Sequence, residues 1–231
     1  MRYMGLKQQP AANQLGRDIS SYLPDPASLS GLPQFTQLHH NIWEHARPYL
    51  KTRRNDIHSL FAYGIASALL EFHPEADPDI VLPAILLHDT GWSCVAEEEV
   101  LEAIAPGGAR PDLILLHERE GARIAREILA SVGHDPTLTD EIADIIDGHD
   151  SRKESMSIND AIVKDADKIW RVTPNGIDVI MDWFGLDRQQ TLQLTSARVH
   201  GHLFTDEGAA MAMAFTAVES LAASPQVHAV S

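Results

Sequence analysis

The apolar run Ile80-Val81-Leu82-Pro83-Ala84-Ile85-Leu86-Leu87 ends on an adjacent histidine and aspartate, His88-Asp89, and this junction constrains the fold more than any other feature. A neutral imidazole and a carboxylate at the end of a buried segment cost free energy unless a cation meets both, and a divalent metal does so most economically. Other parts of the chain must then bring further ligands. His58 upstream, and His117, His149 and the Asp165-Ala166-Asp167-Lys168 stretch downstream, are the candidates. Each lies in its own apolar, helix-patterned segment, so helices packed around one centre would bring them together.

The helical pattern supports that arrangement. Phe35, Leu38, Ile42, Trp43, Ala46 and Tyr49 recur at helical spacing between Gln34 and Tyr49. Asn55 or Asp56 can cap a second helix running to about His73, with Ile57, Phe61, Ile65, Ala68 and Leu69 as its apolar stripe and His58 at the border. Asp77-Pro78 opens the segment ending in His88-Asp89-Thr90-Gly91, with Pro78 in the first turn and Gly91 as C-terminal cap. Pro83 inside it removes a backbone donor and predicts a kink. Residues 92–112 read as the acidic patch Glu97-Glu98-Glu99 followed by the connector Pro106-Gly107-Gly108-Ala109-Arg110-Pro111, whose double glycine lacks the Lys-Ser/Thr ending of a P-loop.

Helix patterning resumes at His117 and breaks at Gly133, and a further helix spans about Thr137 to Asp147. Others cover Ser157 to Arg171, Asp178 to Phe184, Arg188 to Val199 and Asp206 to Ala222. With no alternating strand pattern and no internal repeat, the fold class is all-α. Residues 1–33, with Pro10, Pro24, Pro26 and Pro33, read as an irregular N-terminal arm, and residues 34–225 as a single helical domain.

Charge narrows the partners. With 33 acidic and 18 basic residues the formal charge is -15, which repels polyanions and excludes duplex nucleic acid as a partner. A small phosphorylated substrate stays compatible, because a local metal charge outweighs a distant net charge. The single cysteine, Cys94, excludes an intramolecular disulfide framework. No apolar segment reaches the roughly 18 residues of a membrane span, and the N-terminus lacks an apolar signal core. A cytoplasmic address without membrane association is expected, and homo-oligomerisation is left open.

In the order His58, His88-Asp89, Asp167, with His117 and His149 between, the chain resembles the HD superfamily of metal-dependent phosphohydrolases. The motifs that carry the likeness are Asn55-Asp56-Ile57-His58-Ser59, Leu86-Leu87-His88-Asp89-Thr90-Gly91, Glu118-Arg119-Glu120-Gly121-Ala122 headed by His117, Gly148-His149-Asp150 and Val163-Lys164-Asp165-Ala166-Asp167-Lys168. They cover about residues 50 to 172. Periodicity alone leaves Asp165 and Asp167 open, since two residues on a helix point about 200° apart. The resemblance favours Asp167. The stretch from Gly201 to Ala212 looks like the tail of small stand-alone bacterial HD hydrolases, and its helix is expected to pack against the ligand-bearing ones.

The resemblance implies a helical bundle around a metal centre and one or two divalent ions (Mn, Fe, Ni, Co, Zn or Mg) held by His58, His88, Asp89, His117, His149 and Asp167, with Asp89 bridging. It implies hydrolysis of a phosphate ester or anhydride of a nucleotide or small phosphorylated metabolite through a metal-activated water. Asp89 and Asp150 are the candidate catalytic carboxylates, Asp150 as proton acceptor or orienting group, and Arg54 and Lys168 are candidate phosphate contacts. Trp92 stands where HD nucleotidases often have a glutamate and where myo-inositol oxygenase has a lysine, and the Gly-Tyr-Pro signature of cyclic dinucleotide phosphodiesterases is missing after His149-Asp150. A dinuclear iron oxygenase on the same scaffold is the alternative activity.

Overall fold

The computed structural model describes residues 12–108 and 110–224; Pro10 of the expected N-terminal arm, Ala109 of the expected connector and the last residue of the expected domain lie outside them. Ten α-helices follow one another among the described residues: α1 Gln37–Ala46, α2 Asn55–Leu70, α3 Pro78–Leu87, α4 Glu97–Ile104, α5 Pro111–Ser131, α6 Pro136–Ile146, α7 Ile158–Trp170, α8 Pro174–Phe184, α9 Arg188–Val199 and α10 Asp206–Ala222. No strand occurs among the described residues, only an isolated bridge between Ala12 and Asp18. The fold is all-α. None of these helices is long and apolar enough to cross a membrane.

Helix α3 is the axis of the bundle. It packs against α1, α2, α6 and α7, and every residue from Ile80 to Leu87 is buried. That is why this segment is apolar all round instead of striped. Pro83 does not break it: the helix is continuous, and the Asp79 carbonyl that Pro83 cannot serve lies 3.2 Å from His134 Nε2, which can donate to it.

Local signals set most helix starts. Thr36, Asp77, Asp135, Ser157, Thr173, Asp187 and Thr205 cap α1, α3, α6, α7, α8, α9 and α10 through their side chains. Pro78, Pro111, Pro136 and Pro174 stand in first turns, where a missing amide costs nothing.

Several expectations are corrected. Neither Asn55 nor Asp56 caps α2; Asn55 is its first residue, after Arg54 in a left-handed conformation, and the helix ends at Leu70, short of His73. Its buried face is His58, Ala62, Ile65, Ala66 and Leu69, while Phe61 is exposed. Small residues on that face let α2 approach α7 closely, which a phenyl ring there would prevent. The acidic patch is helix α4, and α5 begins at Pro111, ahead of His117. Gly91 is no left-handed cap either: it lies in a 3-10 turn, Thr90–Cys94, pressed against the backbone of α5.

Candidate metal centre

Five elements converge at the end of α3. His58 comes from the first turn of α2, His88 and Asp89 from the end of α3, His117 from α5, His149 and Asp150 from the loop after α6, and Asp167 from α7. His58 Nε2 lies 3.0 Å from His88 Nε2, 3.2 Å from Asp167 Oδ1 and 3.4 Å from Asp89 Oδ2. Across the same carboxylate, Asp89 Oδ1 is 3.7 Å from His149 Nε2, itself 3.4 Å from His117 Nε2. Asp150 Oδ2 joins this second group, 3.6 Å from His117 Nε2 and 3.8 Å from His149 Nε2. Each oxygen of Asp89 therefore faces a different set of donors.

The chemistry of this donor set fits a divalent metal. His88 Nδ1 and His149 Nδ1 each donate to a backbone carbonyl at 2.8 Å, Ile85 O and Ile146 O. A carbonyl only accepts, so in the neutral rings the proton sits on Nδ1 and the Nε2 lone pair points into the cluster. His58, His88, Asp89, His117, His149 and Asp167 are all buried. Lone pairs and carboxylate oxygens packed this closely, away from water, repel one another unless a proton or a metal ion lies among them. Imidazole and carboxylate without thiolate suit first-row divalent ions.

In metal-depleted protein, protons take that part. Burial alone would lower the His149 pKa, but the hydrogen bond to Asp89 and the charges of Asp150 and Asp89 raise it to about 10. His88 is raised against the same burial by Asp89 and Asp167. Burial opposes ionisation of Asp167 too, yet Arg171 and the two histidines hold it well below the usual carboxylate range. His117 is lowered, by burial and by the charge of His149. Because His149 binds its proton more tightly folded than unfolded, its stabilisation is full below pH 6.5 and lost as pH rises toward about 10.

A divalent ion competes with that proton, so its binding strengthens over the same interval. Chelator-treated protein should show a thermal midpoint that falls between these pH values, and the gain on adding metal should grow. A midpoint that stays level in chelator would contradict a proton held inside the cluster.

Asp165 and Asp167 are both buried on α7 but serve different neighbours. Asp165 Oδ1 accepts from Phe204 N at 2.8 Å, and Oδ2 accepts from Thr205 N at 2.9 Å and Thr205 Oγ1 at 2.7 Å, which ties α7 to the start of α10. Only Asp167 joins the cluster. Of the two cations expected at the site, Arg54 is exposed, and Lys168 turns to the Phe204 ring, 5.0 Å from its centre.

Other residues do what the sequence reading did not assign. Arg171 Nη2 donates to Asp167 Oδ2 at 3.1 Å and lies 4.0 Å from Asp150 Oδ1; its place four residues after Asp167 on one helix was the available signal. Glu118 Oε1 accepts from the amides of Asp150 and Ser151 at 2.8 and 2.7 Å, fixing the loop that presents His149. Buried Lys164 donates to the carbonyls of Arg152 and Glu154, both at 3.0 Å, and pins the same loop to α7. Trp92 stacks flat on the His117 ring, with centroids 4.0 Å apart and planes within 9°.

The cluster opens into a cavity of about 310 Å³. His58, Asp89, Asp150, Asp167 and Arg171 form its polar floor, and Trp183, Phe184 and Leu194 are among the apolar residues facing it.

The chain was compared with known proteins. No curated protein matches it. A solved structure, that of a predicted HD superfamily hydrolase from an uncultured Thermotogales bacterium, superposes with a TM-score of 0.56 at 17% identity, over 83% of this chain and 92% of that one. At that identity the likeness shows a shared fold. The sequence model of the HD domain matches residues 55–171, just over half of the chain, and spans the residues from His58 to Arg171 that build the cluster. The chain belongs to the HD domain family.

Proposed function

We propose that this chain is a metal-dependent phosphohydrolase that cleaves a phosphate ester or anhydride of a nucleotide or small phosphorylated metabolite. The observation that carries the reading is Asp89, whose two oxygens face two separate histidine and carboxylate groups at the floor of an open cavity. His58, His88 and Asp167 with Asp89 Oδ2 would hold one ion, and His117, His149 and Asp150 Oδ2 with Asp89 Oδ1 a second. Bound divalent ions at such a centre supply positive charge to a phosphoryl group and lower the pKa of water.

The chain's own residues complete the chemistry. Arg171, fixed on Asp167, places a guanidinium beside the cluster, where it offsets charge growing on phosphoryl oxygens. Asp150 is the most exposed carboxylate of the group, with 29% of its side chain accessible, and its Oδ1 accepts the proton released by the attacking water. Trp92 covers one face of His117 and keeps water from it.

Elemental analysis of protein purified without added metal, with phosphate release from a panel of nucleotides and sugar phosphates, tests this. About two ions per chain are expected. Phosphate release should stop with chelator, return with metal and be indifferent to dioxygen. A metal-loaded protein releasing no phosphate would overturn the proposal, and turnover that needs iron and dioxygen would replace it with the oxygenase alternative.

A further inference from the structure

The cavity above the cluster has a second wall that no member of the cluster belongs to. Ile180, Trp183 and Phe184 come from α8, and Leu194, Thr195 and Arg198 from α9, both of which follow residue 171 and lie outside the HD domain match. This wall is therefore built by residues that the family model does not reach. It is largely apolar, yet two guanidiniums stand at the cavity with it: Arg198 on α9, and Arg53 in the turn before α2.

Neither Arg53 nor Arg198 forms an ion pair with a described carboxylate, in a chain with 33 acidic residues against 18 basic ones. Arg198 Nη1 donates to Ile104 O at 3.0 Å, at the end of α4, which leaves the rest of its fork unspent. Arg53 Nη2 makes only a long contact, 3.4 Å, with Glu97 O, and its buried Nε has no partner. Arg53 and Arg54 both adopt left-handed backbone, with φ of 53° and 63°, which for side chains of this size is held only where surrounding structure imposes it. Arg198 is exposed at the cavity, and desolvation by its neighbours together with the like charge of Arg171 pushes its pKa down, so it stands within electrostatic reach of the arginine at the cluster. Arginines gathered around one cavity without acidic partners are arranged for an anion that comes from outside.

We propose that the substrate is an oxoanion at both ends: its reacting phosphoryl group meets the cluster and Arg171, its apolar or aromatic body lies against Trp183, Phe184 and Leu194, and a second oxoanion is bound by Arg198, whose fork has donors to spare. This rests on the phosphohydrolase reading for the first end only. A carboxylate and a second phosphate share the chemistry of the far end, and both suit the planar guanidinium fork.

Trp92, Trp170 and Trp183 line the cavity, so tryptophan fluorescence of the purified protein reads binding without turnover. Three inert probes are titrated: benzylphosphonate, 4-carboxybenzylphosphonate and 1,4-xylylenebisphosphonate. At least one of the two doubly anionic probes should bind about tenfold or more tighter than benzylphosphonate, and the stronger of the two identifies the distal group. In Arg198→Ala the preference should shrink to about twofold or less, and Arg198→Gln, which keeps a donor for Ile104 O, should give the same loss. Equal affinity for all three probes, no binding of any, or a preference that survives both variants would overturn the inference. Phosphate release from the panel of nucleotides and sugar phosphates, extended by 4-carboxyphenyl phosphate, is measured beside it: discrimination among the probes without release from any panel member would defeat the phosphohydrolase reading alone, and release without discrimination would defeat this inference alone.

Discussion

Asp89→Ala is expected to abolish phosphate release, by on the order of a thousandfold or more, because it removes the one carboxylate shared by both donor groups and with it the placement of charge around the phosphoryl group. Its Oδ2 faces His58 and His88 and its Oδ1 faces His149, so no single neighbour can take its place. Metal content should fall by most of both ions. The helices should stay: Asp89 is at the C-terminal end of α3, caps nothing with its side chain, and has all of its close polar neighbours within the cluster. Circular dichroism, elemental analysis and phosphate release on one preparation check the three claims together. His117→Ala, which touches only the second group, should cost one ion and leave the other. Wild-type metal stoichiometry in Asp89→Ala would sink the assignment of this cluster as the metal centre.

How much of this was legible beforehand depends on the range of the interaction concerned. The boundaries of α9 and α10 were readable to the residue, because Asp187 and Thr205 are local N-terminal caps and a cap acts within one turn. The order of histidines and aspartates was readable through the family likeness, and the structure brings His58, His88, Asp89, His117, His149 and Asp167 to one place. What failed depends on neighbours distant in sequence. Phe61 fits an apolar stripe by spacing, but α7 approaches along the adjacent face of α2, where small residues and His58 lie. Arg198 went unnoticed because it reaches the cavity from α9, far beyond the motif region, where no local pattern marks it. Asp165 against Asp167 could not be settled by periodicity because α7 is buried almost all round, and only the amides of Phe204 and Thr205 explain the inward-facing Asp165.

Gly91→Ala should be among the most destabilising single-methyl additions in this protein. A Cβ on Gly91 would fall inside the contact radius of the His117 carbonyl oxygen, and would sit 2.5 Å from Gly121 N and 2.8 Å from the His117 carbonyl carbon. All three are backbone atoms of α5, so no rotamer change can make room, and the turn after His88-Asp89 must move off the helix that carries His117. Overpacking against backbone costs about 3 kcal/mol or more, which for a domain of this size lowers the thermal midpoint by about 10 °C. Gly64 supplies the contrast: it lies within α2, its added Cβ would meet nothing closer than Pro33 at 3.9 Å, and Gly64→Ala should raise stability by up to about 1 kcal/mol, since alanine is the better helix former. Opposite signs for one chemical change separate close approach of two backbones from intrinsic propensity. Because the displaced turn also carries Asp89, Gly91→Ala should weaken metal retention although Gly91 has no side chain to coordinate with. A Gly91→Ala protein with the wild-type midpoint would show that the turn after Asp89 does not rest on α5, the helix that carries His117.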